Sequence, residues 1–123
     1  MLSQRPIVAF IPTTNATRAR AFYVDVIGLA FVAEDAMAMM LDANGIMIRV
    51  TKVERFTPQP FAILGWEVHS VANIGEMLRG KGVKFERFNG LVQDENAIWT
   101  SPSGAKVAWF KDPDGNILSI SQP

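Results

Sequence analysis

The sequence predicts an α+β fold in which two tandem β-α-β-β-β modules form a cupped mixed β-sheet with the helices on the outside. The main observation is a strand–turn–strand phrase that occurs twice. Its turn places Gly three residues after Asp, with Asp42 and Gly45 in the first copy and Asp112 and Gly115 in the second. Gly accepts the positive φ that tight turns need, and an Asp side chain can cap the turn's amides. Two copies in a chain of 123 residues indicate a duplicated module.

The first half of the chain, about residues 5–55, supports this interpretation by its order of elements. Short apolar runs predict strands, and apolar residues at helical spacing predict one helix that ends at Gly28. The predicted elements are a strand over 7–11, a helix over 16–26 and strands over 29–34, 37–41 and 46–52.

The second half, about residues 61–123, repeats the order after a Pro-rich linker at 57–60. The predicted elements are a strand over 61–68, a helix over 71–78, a strand over 83–88 and paired strands over 107–111 and 117–120. An insert over 87–103 accounts for the extra length of this half, and its turn after Trp99 indicates a short hairpin of its own.

Composition and charge narrow the function classes. Hydrophobic residues make up 49% and charged residues 20%, which is typical of a single globular domain spanning residues 1–123. Twelve basic and twelve acidic side chains cancel, so we expect neither a nucleic-acid partner nor a membrane partner. The chain has no cysteine, which removes disulfides and thiol catalysis. With no signal-peptide pattern at residues 1–6, we expect a cytoplasmic protein.

The repeated phrase and its neighbours resemble the vicinal oxygen chelate superfamily. That superfamily includes glyoxalase I, extradiol dioxygenases and bleomycin-binding proteins. Segments 20–23 and 26–29 resemble its first-helix signature, segment 65–68 resembles the start of its second module, and segment 110–116 is the most specific match. The resemblance covers nearly the whole chain. It implies a curved sheet around a cleft, which in this superfamily is often completed by a second subunit.

The resemblance also implies where a metal ion would bind. The superfamily's metalloenzymes use His, Glu or Gln on strand positions, and those positions here hold Val8, Arg49, Ile63 and Ser119. Val, Ile and Arg do not coordinate divalent cations, and a neutral Ser alone is a poor ligand. A shift in register would not supply the missing ligands, because His69 is the only histidine. We therefore expect no metal and no other cofactor.

Two charged residues are predicted to point into the cleft. Strand alternation puts Arg49 on the face opposite Ile48 and Val50, where a guanidinium would bind a carboxylate or phosphate bidentately. Glu67 shares a face with Gly65 and is the best candidate for a catalytic base, although no catalytic residue is assigned. The alternative is an ion pair between Arg49 and Glu67 with no ligand involved.

Aromatic and hydroxyl side chains complete the candidate ligand site. Trp99 and Phe110 are candidates for stacking on a flat organic ligand. Alternation requires one of Trp109 and Phe110 to face the helices, and the sequence does not decide which. Ser119 is the counterpart of Arg49 in the second module and is interpreted as a hydrogen-bonding or passive wall residue.

The sequence thus predicts a metal-independent protein that binds a small anionic or aromatic molecule. The alternatives are a glyoxalase-like lyase or isomerase, a dioxygenase, and a purely structural role. His69 is interpreted as a surface or capping residue. The methionines concentrated near one hairpin, including Met37 and Met47, and the exposed sheet face favour a homodimer.

Overall fold

The structure, a computed structural model, describes all residues from 1 to 123. The chain divides into two units, Met1–Thr57 and Pro58–Pro123. The division lies inside the predicted linker at 57–60. Each unit contains one module, so the predicted α+β fold of two tandem β-α-β-β-β modules is confirmed.

The first unit is a four-stranded mixed sheet with one helical segment. Its sheet order is β1-β4-β3-β2, in which β1 runs parallel to β4 and the other pairs are antiparallel. The elements are β1 (Val8–Thr13), α1 (Ala16–Arg20), a π-helical continuation (Ala21–Val26), β2 (Ala30–Glu34), β3 (Ala38–Ala43) and β4 (Ile46–Lys52).

The helix predicted over 16–26 has the expected span but changes its winding after Arg20. Asn15 caps its start by accepting a hydrogen bond from the Arg18 amide at 3.0 Å. Farther on, the Ile27 amide donates to the Phe22 carbonyl at 2.9 Å, five residues back, which is the π-helical pattern. Aromatic and β-branched residues fill this stretch, and they crowd a regular α-turn. Gly28 then ends the segment with φ of +94°.

The second unit repeats the sheet order as β5-β8-β7-β6, again with its first strand parallel to its last. The elements are β5 (Ala62–Glu67), α2 (Val71–Gly80), β6 (Trp99–Thr100), β7 (Lys106–Lys111) and β8 (Ile117–Gln122). The predicted hairpin in the insert is confirmed, because Trp99 pairs with Val107 across the β6–β7 turn.

The strand predicted over 83–88 is wrong. Only Phe85 forms an isolated bridge, with Phe110, and the Glu86 amide donates to the Trp109 carbonyl at 2.8 Å. The Phe88 amide instead donates to the side chain of Gln93 at 2.8 Å, and Gln93 Nε2 donates to the Glu86 carbonyl at 3.0 Å. These bonds to the Gln93 side chain replace the backbone hydrogen bonds of a strand. The edge of β7 therefore pairs with Phe85 over one part of its length and with β6 over another.

The core of each unit lies between its sheet and its helix. In β4, Ile48 and Val50 are buried while Met47, Arg49 and Thr51 are on the other face, as the alternation predicts. The buried apolar residues of the two units include Ile11, Tyr23, Met39, Leu41, Val71, Leu78, Phe85, Ala108, Phe110, Leu118 and Ile120. No helix is long and apolar enough to cross a membrane.

Candidate ligand-binding faces

Each sheet has one buried face and one open face. The candidate residues Arg49, Glu67, Trp99 and Ser119 lie on the open faces. The first open face belongs to β1, β4 and β3. There Arg49 lies between Phe10 on β1 and Met40 on β3, and Val8 pairs with Met47 one step along. Phe10 is 65% exposed, and Val8 and Met47 are also exposed. This face therefore presents one half-buried cation among apolar side chains.

Arg49 forms no salt bridge within its module. The nearby cation Lys52 is already paired, with its Nζ 2.7 Å from a carboxylate oxygen of Glu34. Asp35 interacts electrostatically with Arg49, and the pKa of Asp35 is lowered. The main cause is hydrogen bonds from the amides of Met37 and Ala38, and the charges of Arg49 and Lys52 add to it. The guanidinium of Arg49 thus retains donors for an anionic group.

The second open face belongs to β5, β8, β7 and β6. Ser119 lies at its centre, paired with Gly65 on β5 and with Trp109 on β7. Because directly paired residues share a face of a sheet, these three lie in one row across the sheet. Ser119 has the same place between its neighbouring strands that Arg49 has in the first module, which agrees with the predicted pseudo-equivalence.

Glu67 lies one step along from that row. It is exposed at the end of β5, where it pairs with Ser121, and Ser121 pairs with Val107. Val107 in turn pairs with Trp99, so Glu67 and Trp99 belong to the same open face. The predicted strict alternation through Ile63 is interrupted, because the register shifts between Ala62 and Leu64.

Three aromatic rings form a row on the second open face. The Phe88 and Trp109 rings meet edge to face with centroids 5.5 Å apart. The Trp99 ring also lies near Trp109, with centroids 6.1 Å apart and a tilt of 39°. Trp99 and Trp109 are both half-buried, so each retains ring surface for a ligand.

Phe110 lies in the core and not on the open face, where the sequence analysis expected it to contact a ligand. Its side chain is 0% exposed and packs edge to face on Phe85 at 5.5 Å. It pairs with the buried Leu118, so it is on the helix-facing side of the sheet, and alternation places Trp109 on the open face. The sequence reasoning also missed Phe88, because its place beside Trp109 comes from the irregular insert rather than from a strand pattern.

The second unit includes an apolar cavity and a polar cavity. The first, of about 210 Å³, is mainly apolar. Its lining consists of Pro60, Phe61, Ala62, Phe88, Trp109 and Ile117. The second, of about 330 Å³, is polar and lies where β5 and β8 end. It is lined by Glu67, Val68, His69, Gln122 and Pro123.

His69 occupies an exposed position before the first turn of α2. The helix is capped by Ser70, whose hydroxyl oxygen accepts a hydrogen bond from the Asn73 amide at 3.1 Å. His69 itself is therefore a surface residue next to the cap, and it borders the polar cavity together with Glu67. Gln122 is oriented there because its Oε1 accepts a hydrogen bond from the Val71 amide at 2.7 Å.

Comparison with known proteins gives matches among solved structures only. No protein-family model and no curated protein matches the sequence. A glyoxalase/bleomycin resistance protein/dioxygenase superfamily member from Sphaerobacter thermophilus superposes with a TM-score of 0.76 at 18% identity, covering 100% of both chains. A glyoxalase family protein from Bacillus anthracis gives 0.74 at 16% identity, covering 97% of this chain and 94% of the other. The lactoylglutathione lyase of Agrobacterium tumefaciens gives 0.72 at 15%, covering 97% and 93%.

The chain has the vicinal oxygen chelate fold. Identities of 15 to 18% establish the fold and not the activity. The sequence resemblance to this fold, drawn from the repeated turn phrase, is confirmed.

The metal positions implied by the vicinal oxygen chelate fold do not fit a divalent cation. Val8 and Arg49 share the first open face, and Ser119 is on the second beside the irregular register at Ile63. Two of these four side chains are aliphatic, one is cationic and one is a neutral hydroxyl. No group of three or more His, Cys, Asp or Glu side chains comes together elsewhere.

Proposed function

We propose that the protein binds a small organic molecule carrying an aromatic or anionic group, without using a metal ion. The observation that supports this best is the row of Phe88, Trp109 and Trp99 beside an apolar cavity of about 210 Å³. Concave sites with aromatic walls and a few polar groups are typical of small-molecule sites. Ser119 provides a hydroxyl at the centre of the same face.

The aromatic part of the proposal is tested by tryptophan fluorescence. Titration with naphthalene and indole derivatives is expected to change the emission of the wild-type protein. Trp109→Ala should weaken binding about tenfold, because loss of an aromatic contact costs about 1.4 kcal/mol. Trp66→Phe is the matched control, since Trp66 pairs with the buried Ile120 on the other face. Equal binding by both variants would contradict the proposal.

Arg49 is the proposed recognition group for an anion. It is half-buried, on the first open face, and has no salt bridge within its module. Binding of aromatic carboxylates is expected to weaken in Arg49→Ala, and Arg49→Lys should recover only part of it because Lys lacks the bidentate fork. Calorimetric titration of both variants against a carboxylate and its neutral amide separates charge recognition from general packing.

A catalytic role is the second candidate, because Glu67 and His69 border one polar cavity. A carboxylate and an imidazole are the side chains most used for proton transfer. Glu67→Gln would then lose turnover and keep ligand affinity, as expected for a lyase or isomerase. In a binding protein the same variant has no turnover to lose, so turnover tests the catalytic role. The variant also removes the negative charge that the alternative, an ion pair between Arg49 and Glu67, requires.

We also propose a cytoplasmic homodimer. The exposed Val8, Phe10 and Met47 on the first open face support the dimer, because solvent-facing apolar patches favour association. The absence of cysteine is consistent with a reducing compartment. Light scattering of wild-type protein and Phe10→Lys tests the dimer; a wild-type monomer at micromolar concentration would refute it.

A further inference from the structure

The three rings of the aromatic row are not held equally by strand pairing. Trp109 lies inside β7, which pairs with β8 along its whole length. Trp99 belongs to β6, which has only two residues, and Phe88 belongs to no strand. Both rings nevertheless contact Trp109, with centroids 6.1 and 5.5 Å from the Trp109 ring. A contact other than strand pairing is therefore needed to hold Phe88 and Trp99 in place.

The side chain of Gln93 provides that contact. Its Oε1 accepts a hydrogen bond from the Phe88 amide at 2.8 Å. Its Nε2 donates to the Glu86 carbonyl at 3.0 Å and to the Ala97 carbonyl at 2.8 Å. The backbone of Gln93 also forms an isolated bridge with Trp99. One amide group thus connects the segment that carries Phe88 to the segment that leads into Trp99.

These three hydrogen bonds depend on the chemistry of an amide. They use one acceptor and two donors, and a glutamine side chain supplies both kinds of group. A carboxylate in the same place would accept from the Phe88 amide, but its second oxygen would repel the carbonyls of Glu86 and Ala97. A thioether of similar length would replace none of the three bonds. The side chain at position 93 is therefore chemically specific.

Ala97 shows that the backbone before Trp99 is under constraint. It has φ of +64° although it is not glycine, and its side chain is 4% exposed. A residue with a side chain keeps such a conformation only where its surroundings impose it. The Ala97 carbonyl accepts from Gln93, and the Ala97 amide donates to the Asp94 carbonyl at 3.0 Å. These bonds set the direction in which the chain enters β6.

We propose that Gln93 is the positioning residue of the aromatic site and that it preforms this site for a rigid planar ring. Its amide holds Phe88 and Trp99 next to Trp109 in the absence of a ligand. A planar molecule then binds without first having to order these rings, which lowers the entropic cost of binding. This inference rests on the proposed small-molecule-binding function and adds that the ligand is flat and rigid.

The competing explanation is that Gln93 only stabilises the insert. Arg87 offers a matched control, because its guanidinium donates to the carbonyls of Asp94 at 2.6 Å and Gln93 at 3.5 Å. Arg87 thus ties the same insert together without bonding to the backbone of Phe88 or Ala97. Gln93→Met removes the three amide bonds while keeping the length of the side chain, and Arg87→Ala removes the control contact. Thermal unfolding establishes that each variant is folded.

The first measurement is made without a ligand. Two indole rings as close as Trp99 and Trp109 couple electronically and give paired circular dichroism bands of opposite sign in the far ultraviolet. Trp99→Phe identifies these bands by removing them. Gln93→Met should lose most of the paired signal, and Arg87→Ala should keep it. Retention of the wild-type signal in Gln93→Met would show that Gln93 does not position the rings.

The second measurement compares a planar probe, 2-naphthol, with a flexible apolar probe, 1-octanol, by calorimetric titration. Gln93→Met should bind 2-naphthol about tenfold more weakly than wild type and 1-octanol within about twofold. Arg87→Ala should bind both probes within about twofold of wild type. The flexible probe needs the apolar cavity but not the alignment of the rings, so it detects a general collapse of the insert.

The inference is overturned if Gln93→Met keeps wild-type affinity for 2-naphthol, whether or not the paired signal is lost. It is also overturned if the variant loses affinity for both probes equally, or if Arg87→Ala weakens 2-naphthol binding as much. A wild-type protein that binds neither probe would refute the proposed function. The ligand-free signal would then still decide whether Gln93 positions the rings.

Discussion

Asp112 organises the turn between β7 and β8 through both of its carboxylate oxygens. Its Oδ1 accepts hydrogen bonds from the amides of Asp114 and Asn116, each at 2.9 Å, and its Oδ2 accepts one from Asn116 Nδ2 at 2.8 Å. Asp112 and Asn116 are 5% and 2% exposed, so water does not compete for these bonds. The corresponding Asp42 in the first module is exposed and makes one long bond, 3.4 Å from the Gly45 amide.

Asp112→Ala is therefore expected to lower the free energy of unfolding by about 3 kcal/mol, because it leaves buried donors without an acceptor. Asp42→Ala, its counterpart in the repeat, should cost less than about 1 kcal/mol. Urea unfolding of both variants measures the difference. Equal losses would mean that burial of the second turn contributes little to its strength.

At the scale of single residues, the sequence predicts the two turns but does not decide which of two adjacent large apolar residues is buried. The Asp-to-Gly turn phrases use local side-chain and backbone chemistry, so the sequence alone predicts both of them. Trp109 and Phe110 are adjacent, large and apolar, and only the register with Ser119 and Leu118 shows which is buried. Phe88 contacts Trp109 from an irregular segment, and no periodic pattern in the sequence predicts such a contact.

The connection between β2 and β3 gives a pH-dependent effect at the scale of an element. Asp35 Oδ1 accepts hydrogen bonds from the amides of Met37 and Ala38 at 2.8 and 2.9 Å. These bonds, with the charges of Arg49 and Lys52, lower its pKa in the folded state. A lowered folded-state pKa stabilises the protein above the ordinary carboxyl value, and the contribution disappears as pH falls through the lower folded value.

The destabilisation caused by Asp35→Ala should thus be larger at pH 7 than at about pH 2.5, below the ordinary Asp range. Thermal unfolding at the two pH values, with wild type measured alongside, gives the comparison. Asp35→Asn serves as control, because it keeps an acceptor oxygen but has no charge to titrate. A difference that does not change with pH would argue against the charged form as the stabilising one.

The strand predicted over 83–88 does not form, for a reason that lies outside the segment itself. The apolar alternation there is genuine, yet Gln93 supplies the partners for backbone groups that a strand would have paired with a neighbour. Such competition depends on a side chain several residues away, and the pattern of hydrophobic residues does not encode it. The hairpin predicted in the same insert formed because its Ser101–Gly104 turn is local.

Over the whole molecule, the fold and the chemistry of the implied metal positions point to different conclusions. The chain superposes on glyoxalase-type structures over nearly its full length. Its residues at those positions are Val8, Arg49, Ile63 and Ser119, which offer no set of metal-binding side chains. The sequence predicts the fold because the duplication and the turn phrases extend along the whole chain. The type of ligand depends on the shape of the open faces, which only the structure gives.

We expect no saturable thermal shift on adding nickel, zinc, manganese or iron(II), and no stoichiometric metal in the purified protein. A ligand at 100 times its Kd would stabilise the folded state by about 2.7 kcal/mol, which is easily seen as a shift of several degrees. Elemental analysis and differential scanning fluorimetry make the test. Stoichiometric metal would instead favour glyoxalase- or dioxygenase-type chemistry.

The irregular segment between Phe85 and β6 also makes the second module a convenient scaffold for grafting peptides. Residues 89–92 have no ladder partner, Gly90 already has φ of +88°, and Val92 is 88% exposed. Lengthening a flexible loop is inexpensive, about 0.6 kcal/mol for each doubling. A recognition peptide inserted at Gly90 would leave Phe85 and β6 in place on either side. Because this segment takes no part in regular strand pairing, the inserted peptide would be displayed as an epitope next to the aromatic row.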